Sequence, residues 1–175
     1  MTYGRLGVVD ALAFAFGLVI EVPTGAISDL IGKKKTILAS CILGFIGVML
    51  IASANSALPI FIGFLITQAG WAFYSGSAEA MAYDSLKEKK EDNQYDKVIS
   101  ASSVIGIVAI VVTTLVGAVM YKHNFRLPHY AWGFAYLFGF VASFWLKEPS
   151  IDTEKFSFRN YFRQMAEGAK QLVTP

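Results

Sequence analysis

The sequence predicts an all-α fold, a polytopic membrane bundle of five transmembrane helices. Three observations predict it. Only 16% of the 175 residues are charged and 55% are hydrophobic, with a mean hydropathy of +0.51; a water-soluble domain carries roughly 25% charged residues. The apolar residues gather in runs of about 20, the length a helix needs to cross a bilayer core. Turn or charge chemistry closes every run. Helices are expected because a helix satisfies its own backbone polar groups in lipid.

The first span covers 6–30 and ends at Gly32 and three lysines. The second covers 36–54 and stops at Asn55-Ser56. The third, 58–83, opens near Pro59 and runs into the mixed-charge stretch 87–97, read as a solvated loop. The fourth covers 98–121, and a short polar stretch at 122–128 separates it from the fifth, 129–146. Residues 1–147 thus form the helix bundle. Residues 148–175 form a separate tail, where Phe158, Tyr161, Phe162, Met165, Ala169 and Leu172 recur at helical spacing among Arg159, Arg163 and Lys170. This pattern predicts an amphipathic helix, either on the inner membrane surface or against a following domain.

Basic residues set the direction of the spans. Lys33, Lys34, Lys35, Lys87, Lys89, Lys90, Lys97, Lys147, Lys155, Arg159, Arg163 and Lys170 fall on one side; only Arg5, Lys122 and Arg126 fall on the other, which accounts for all 15. Cytoplasmic segments carry the excess of Lys and Arg. The expected topology is multi-pass in the cell membrane, N-terminus outside and C-terminus inside.

The stretch EVPTGAISDLIGKKKT at 21–36 concentrates charge and backbone punctuation between two apolar runs. Gly32 permits a tight turn, Thr36 is placed to cap the next helix, and Pro23 is placed to kink the first. Gly25 lacks a side chain, which allows another helix to approach closely. The short hairpin predicts that spans one and two are antiparallel neighbours. Asp29 sits at the C-terminal end of a helix, where the dipole disfavours an anion. It therefore calls for a partner, either the lysines of the turn or the N-terminus of another helix.

Gly25, Asp29, Gly32, Lys33 and Lys34 match the pattern G-x-L-A-D-R-x-G-R-K found between transmembrane helices 2 and 3 of the major facilitator superfamily, with Ile27 and Ser28 as close substitutes. The chain resembles that family along its whole length, with this motif as the specific signal. Leu30 departs, where the family usually has a basic residue. The resemblance implies a secondary transporter whose aspartate belongs to a latching charge network on the cytoplasmic side. It implies that the five spans are helices 2 to 6, an incomplete N-terminal half, and that the tail begins the linker between two six-helix halves. Helix 1 and helices 7 to 12 would then be missing partners, and the chain would be inactive alone.

Glu21, in the middle of the first span, and Glu79, in the inner part of the third, put carboxylates where ionised groups are costly. Each is a candidate for coupling a proton or binding a small-molecule substrate; the alternative is a hydrogen bond that pins two helices. Gln68, Trp71 and Tyr74 lie in the third span, placed either to line a polar pathway, with Gln68 a further candidate proton or substrate residue beside Glu21 and Glu79, or to face lipid and neighbours; the same span carries Ala69, Gly70, Ala72, Ser75, Gly76, Ser77, Ala78, Ala80 and Ala82. Small residues at this density favour close helix packing and are compatible with a sliding face. Asp84, beside lysines at the end of the span, reads as an anchor. Glu21-Val-Pro-Thr-Gly and Glu79-Ala-x-x-Tyr83-Asp84 resemble stretches of bacterial exporters. The third span nonetheless lacks the arginine of many proton-coupled members, and the fourth lacks the glycine-proline pattern of drug antiporters.

No catalytic residue, cofactor or metal is expected. His123 and His129 lack metal-site spacing, the single Cys41 cannot form an intrachain disulfide, and no phosphate-binding loop is present. The expected partners are membrane lipid and a small molecule, not nucleic acid. A second reading makes the chain a small standalone membrane protein with a structural or regulatory partner.

Overall fold

The computed structural model describes residues 3–150. Five helices make up most of it: α1 (Tyr3–Ile31), α2 (Lys33–Ser53), α3 (Ala57–Glu88), α4 (Tyr95–His123) and α5 (Leu127–Ser143). The amphipathic helix expected in the tail lies, from residue 151 onward, outside the described residues.

Pro23 lies inside α1. The axis bends by 48° between Gly7–Glu21 and Pro23–Ile31, as expected where a proline ring displaces a helical carbonyl and removes a donor. The α1–α2 hairpin is a single residue. Gly32 takes φ +102°, a left-handed conformation that a side chain resists. Its N–H donates to the Ser28 carbonyl at 3.1 Å, and its own carbonyl accepts from the Thr36 N–H at 3.1 Å. The three lysines are therefore not a loop, because α2 begins at Lys33. Thr36 is also not the cap: it lies one turn inside α2, and its hydroxyl donates back to the Gly32 carbonyl at 2.9 Å.

The stretch 87–97, expected as a solvated loop, is exposed except at Tyr95, but the helices extend into it from both ends. α3 runs through Glu88 and α4 starts at Tyr95, with one short 3-10 turn at Asp92–Gln94 between them. Lys90 makes the reversal with φ +59°. Between α4 and α5, the Asn124 side-chain oxygen accepts the Arg126 N–H at 2.9 Å, and Pro128 occupies the first turn of α5, where its missing donor costs nothing.

The core is a sandwich of small residues. α2 packs against both α3 and α5, and α1 lies mainly along α3. α1 and α2 meet only sparingly despite their one-residue hairpin. A Cβ on Gly63 would lie 2.7 Å from the Gly47 carbonyl, and one on Gly70 would lie 3.0 Å from the Ser40 carbonyl. Backbones this close need glycine on the facing surfaces. Hydroxyls fasten α1 to α3: Thr24 donates to the Ala72 carbonyl at 3.1 Å, and Ser28 and Ser77 share a hydrogen bond of 2.7 Å. α4 buries no residue.

Three helical segments are long and apolar enough to cross a membrane, Lys33–Ser53, Ala57–Glu88 and Asp92–His123, and the two arms of the bent α1 reach that length only when counted together as one span. α5 has 17 residues, about 26 Å at the helical rise, so the expected five spans resolve into five helices of unequal reach.

Candidate functional site

Two constellations collect the chemistry. The first is at the lysine-rich end of the bundle. Lys33 and Lys34 occupy the first turn of α2, where the dipole is positive and a cation is disfavoured. Glu148, just beyond α5, offsets this. Its Oε1 accepts the Lys33 N–H at 2.7 Å and its Oε2 accepts the Lys34 N–H at 2.8 Å. One carboxylate thus satisfies two backbone donors at a helix start.

The lysine side chains are directed to other helices. Lys33 Nζ forms an ion pair with Asp84 of α3. Lys34 Nζ donates to the Phe144 carbonyl at 2.8 Å, so it places a cation on the carbonyl end of α5, where the dipole favours it. Ser150 donates to Glu88 of α3 at 2.8 Å. The ends of α2, α3 and α5 are thereby tied together within a few residues. Glu148 was not singled out in the sequence; an acid directly after the last span, on the side of the lysines, was the available signal.

The other motif residues lie on α1. Asp29 is exposed on its last turn. Gly25 does not mark a close approach among the described residues, because a Cβ there would meet nothing within 4 Å. The expected approach of another helix at that point is therefore not part of the described bundle.

The second constellation is one face of α3. Gln68, Ser75 and Glu79 are spaced by seven and four residues, which stacks them along one side of a helix. Gln68 lies against α1 at Gly17, its Nε2 being 3.2 Å from where a Cβ would stand. Ser75 donates to Glu21 Oε1 at 3.2 Å, so α1 contributes its carboxylate to the same row. Glu79 follows one turn later and opens into a crevice between α3 and α4. Both carboxylates are exposed on the described bundle, not enclosed within it.

A row of one amide, one hydroxyl and two carboxylates on apolar helices can hold a cation or exchange a proton. Among the described residues no group of three or more His, Cys, Asp or Glu is placed to hold a metal.

The sequence profile of the Major Facilitator Superfamily matches residues 1–173. An uncharacterized transporter of Buchnera aphidicola subsp. Schizaphis graminum (strain Sg) is 28% identical over 143 residues, which are 81% of this chain and 31% of the relative. The chain thus spans about a third of that relative's length. No solved structure matches it. With a family match along nearly its whole length, on a helical bundle with membrane-spanning segments, the chain belongs to the Major Facilitator Superfamily.

Proposed function

We propose that the chain is the N-terminal part of a secondary active transporter for a small molecule, and that the α3 face with Glu21 lies on its transport path. The single observation that carries this reading is the row Gln68, Ser75 and Glu79, joined by Glu21 across a 3.2 Å hydrogen bond. Ionisable groups in apolar spans belong to substrate or proton pathways by default. Family membership supports transport over catalysis.

In this reading residues 1–147 form the bundle, corresponding to helices 2 to 6, and 148–175 begin the central linker. The lysine-rich end is cytoplasmic and the N-terminus is outside, in the plasma membrane. Gly25, Asp29, Gly32, Lys33 and Lys34 form the cytoplasmic gating motif. Transport in this fold class rocks two repeats about a central site, so helix 1 and helices 7 to 12 complete the machine. The chain alone, reconstituted in liposomes under a proton gradient, is expected to show no substrate-specific uptake.

The test uses the full transporter that contains this stretch. Glu21→Gln is expected to abolish the pH dependence of flux while membrane expression stays normal. Unchanged pH dependence would reassign Glu21 to pinning α1 on α3 through Ser75.

A further inference from the structure

We propose that the crevice between α3 and α5, floored by α2, holds one lipid with a monoanionic phosphodiester headgroup. One acyl chain lies between the helices, and Lys89 and Lys147 take the phosphate. The site is separate from the Glu21–Ser75 row and does not depend on it.

The crevice follows from how the helices pack. α2 packs against both α3 and α5, whereas α3 and α5 do not pack on each other. Ile37 and Cys41 of α2 line the space left between them. It encloses about 820 Å³, within the range of small-molecule sites, roughly 300–1,000 Å³. Ala78, Met81 and Ala82 form the α3 wall, and Gly139 and Ala142 form the α5 wall. The Ser143 hydroxyl in the lining is spent on the Gly139 carbonyl at 2.7 Å. Walls of this kind suit a hydrocarbon chain.

The length of the crevice fits one leaflet. Along α3 the lining runs from Tyr74 to Lys89, roughly 22 Å at the helical rise. Half a bilayer, headgroup region included, is about 20–22 Å thick. The charge lies at one end of this length, the lysine-rich end. Lys33 and Lys34 at that end are engaged by Asp84 and the Phe144 carbonyl. Lys89 and Lys147, both in the lining, are exposed and form no ion pair among the described residues. Glu88 is the one carboxylate in the lining, and its Oε1 accepts the Ser150 hydroxyl at 2.8 Å. Two cations against one carboxylate leave one net positive charge, which a phosphodiester neutralises. Basic pockets between membrane helices are where anionic headgroups bind.

The experiment titrates phosphatidylglycerol into the 175-residue chain in detergent micelles and counts retained lipid by native mass spectrometry. Phosphatidylcholine with the same acyl chains is the zwitterionic comparison. One phosphatidylglycerol per chain is expected to bind saturably, about tenfold tighter than phosphatidylcholine. Lys89→Gln and Lys147→Gln each weaken that binding by about fivefold. Lys90→Gln, at an exposed lysine outside the lining, leaves it unchanged. Ala82→Trp fills the crevice, keeps both lysines and weakens binding as well; should that variant unfold, Ala142→Leu makes the same test from the opposite wall. Inorganic phosphate at the same concentrations does not compete, because the acyl chain supplies part of the affinity. No saturable phosphatidylglycerol binding or equal binding of phosphatidylcholine would overturn the proposal. So would equal losses in Lys89→Gln and Lys90→Gln, unchanged binding in a folded crevice-filling variant, or full competition by phosphate. The lysines are exposed, so their substitution leaves folding intact, and circular dichroism checks this for every variant.

Discussion

Glu148 removes the electrostatic penalty of starting a helix with three lysines. It accepts two backbone donors that α2 cannot satisfy itself and brings a negative charge to the positive end of the dipole. Glu148→Ala is therefore expected to lower stability by about 1–2 kcal/mol, read as a reduced melting temperature in detergent; Glu148→Gln should lose less. A melting curve identical to the parent would contradict the capping role. The Lys33–Asp84 pair makes a second prediction. Both side chains are mostly buried, at 12% and 14% exposure, so either alanine substitution strands a charge and costs about 1–3 kcal/mol. The double substitution is expected to cost less than the two singles combined, because it strands neither. At this scale the sequence indicated the need for a partner but not its identity. Asp84 was legible as an anchor beside lysines. Glu148 was not legible as a cap, because its role depends on α5 ending next to the start of α2, 115 residues earlier. Thr36 had the right residue type for a cap, but Gly32 alone makes the turn, which places Thr36 a full turn inside the helix.

Among the elements, α2 and α3 are held by contacts between backbones. Gly47 and Gly63 face each other with their carbonyls at 2.7 Å from where a Cβ would stand. Neither backbone can yield without separating the helices. Gly47→Ala and Gly63→Ala are each expected to destabilise by about 1–3 kcal/mol through overpacking. Gly76→Ala on the same helix α3 meets nothing within 4 Å and should be neutral or slightly stabilising, given the cost of glycine within a helix. Chemical denaturation of the three variants in micelles separates these outcomes; equal effects at Gly47 and Gly76 would refute the packing assignment. Composition alone located the dense small-residue stretch of the third span, and Pro23 marked the bend in α1. Composition did not say which small residues face a neighbour. Gly70, Ala72 and Ser77 are buried, whereas Gly76 is open, and that division depends on where α1 and α2 pack. Likewise the short hairpin suggested that α1 and α2 pair, yet α1 packs mainly on α3, because the bend at Pro23 and the hydroxyl bonds of Thr24 and Ser28 direct it there.

For the molecule as a whole, low charge content and apolar run length made the helical membrane class legible without any contact information. The carboxylate row was only partly legible. The spacing of Gln68, Ser75 and Glu79 on one helix is a sequence property, but the arrival of Glu21 from α1 beside Ser75 is a property of the fold. The proposed orientation predicts that Lys35→Cys reacts with a membrane-impermeant thiol reagent from the cytoplasmic side and Asn124→Cys from the outside, with Cys41→Ala as background; reversed accessibility would invert the topology. In the proposed transporter the α3 face is a water-accessible path through an apolar bundle. The most direct measurement is thiol accessibility along that face in membranes, again with Cys41→Ala as background. Gln68→Cys, Ser75→Cys and Glu79→Cys are expected to react with a charged, water-soluble reagent, while Ala109→Cys on the wholly apolar middle of α4 stays unreactive. If the three α3 positions react no faster than Ala109→Cys, the row lies in lipid or sealed protein, and the transport-path account is wrong.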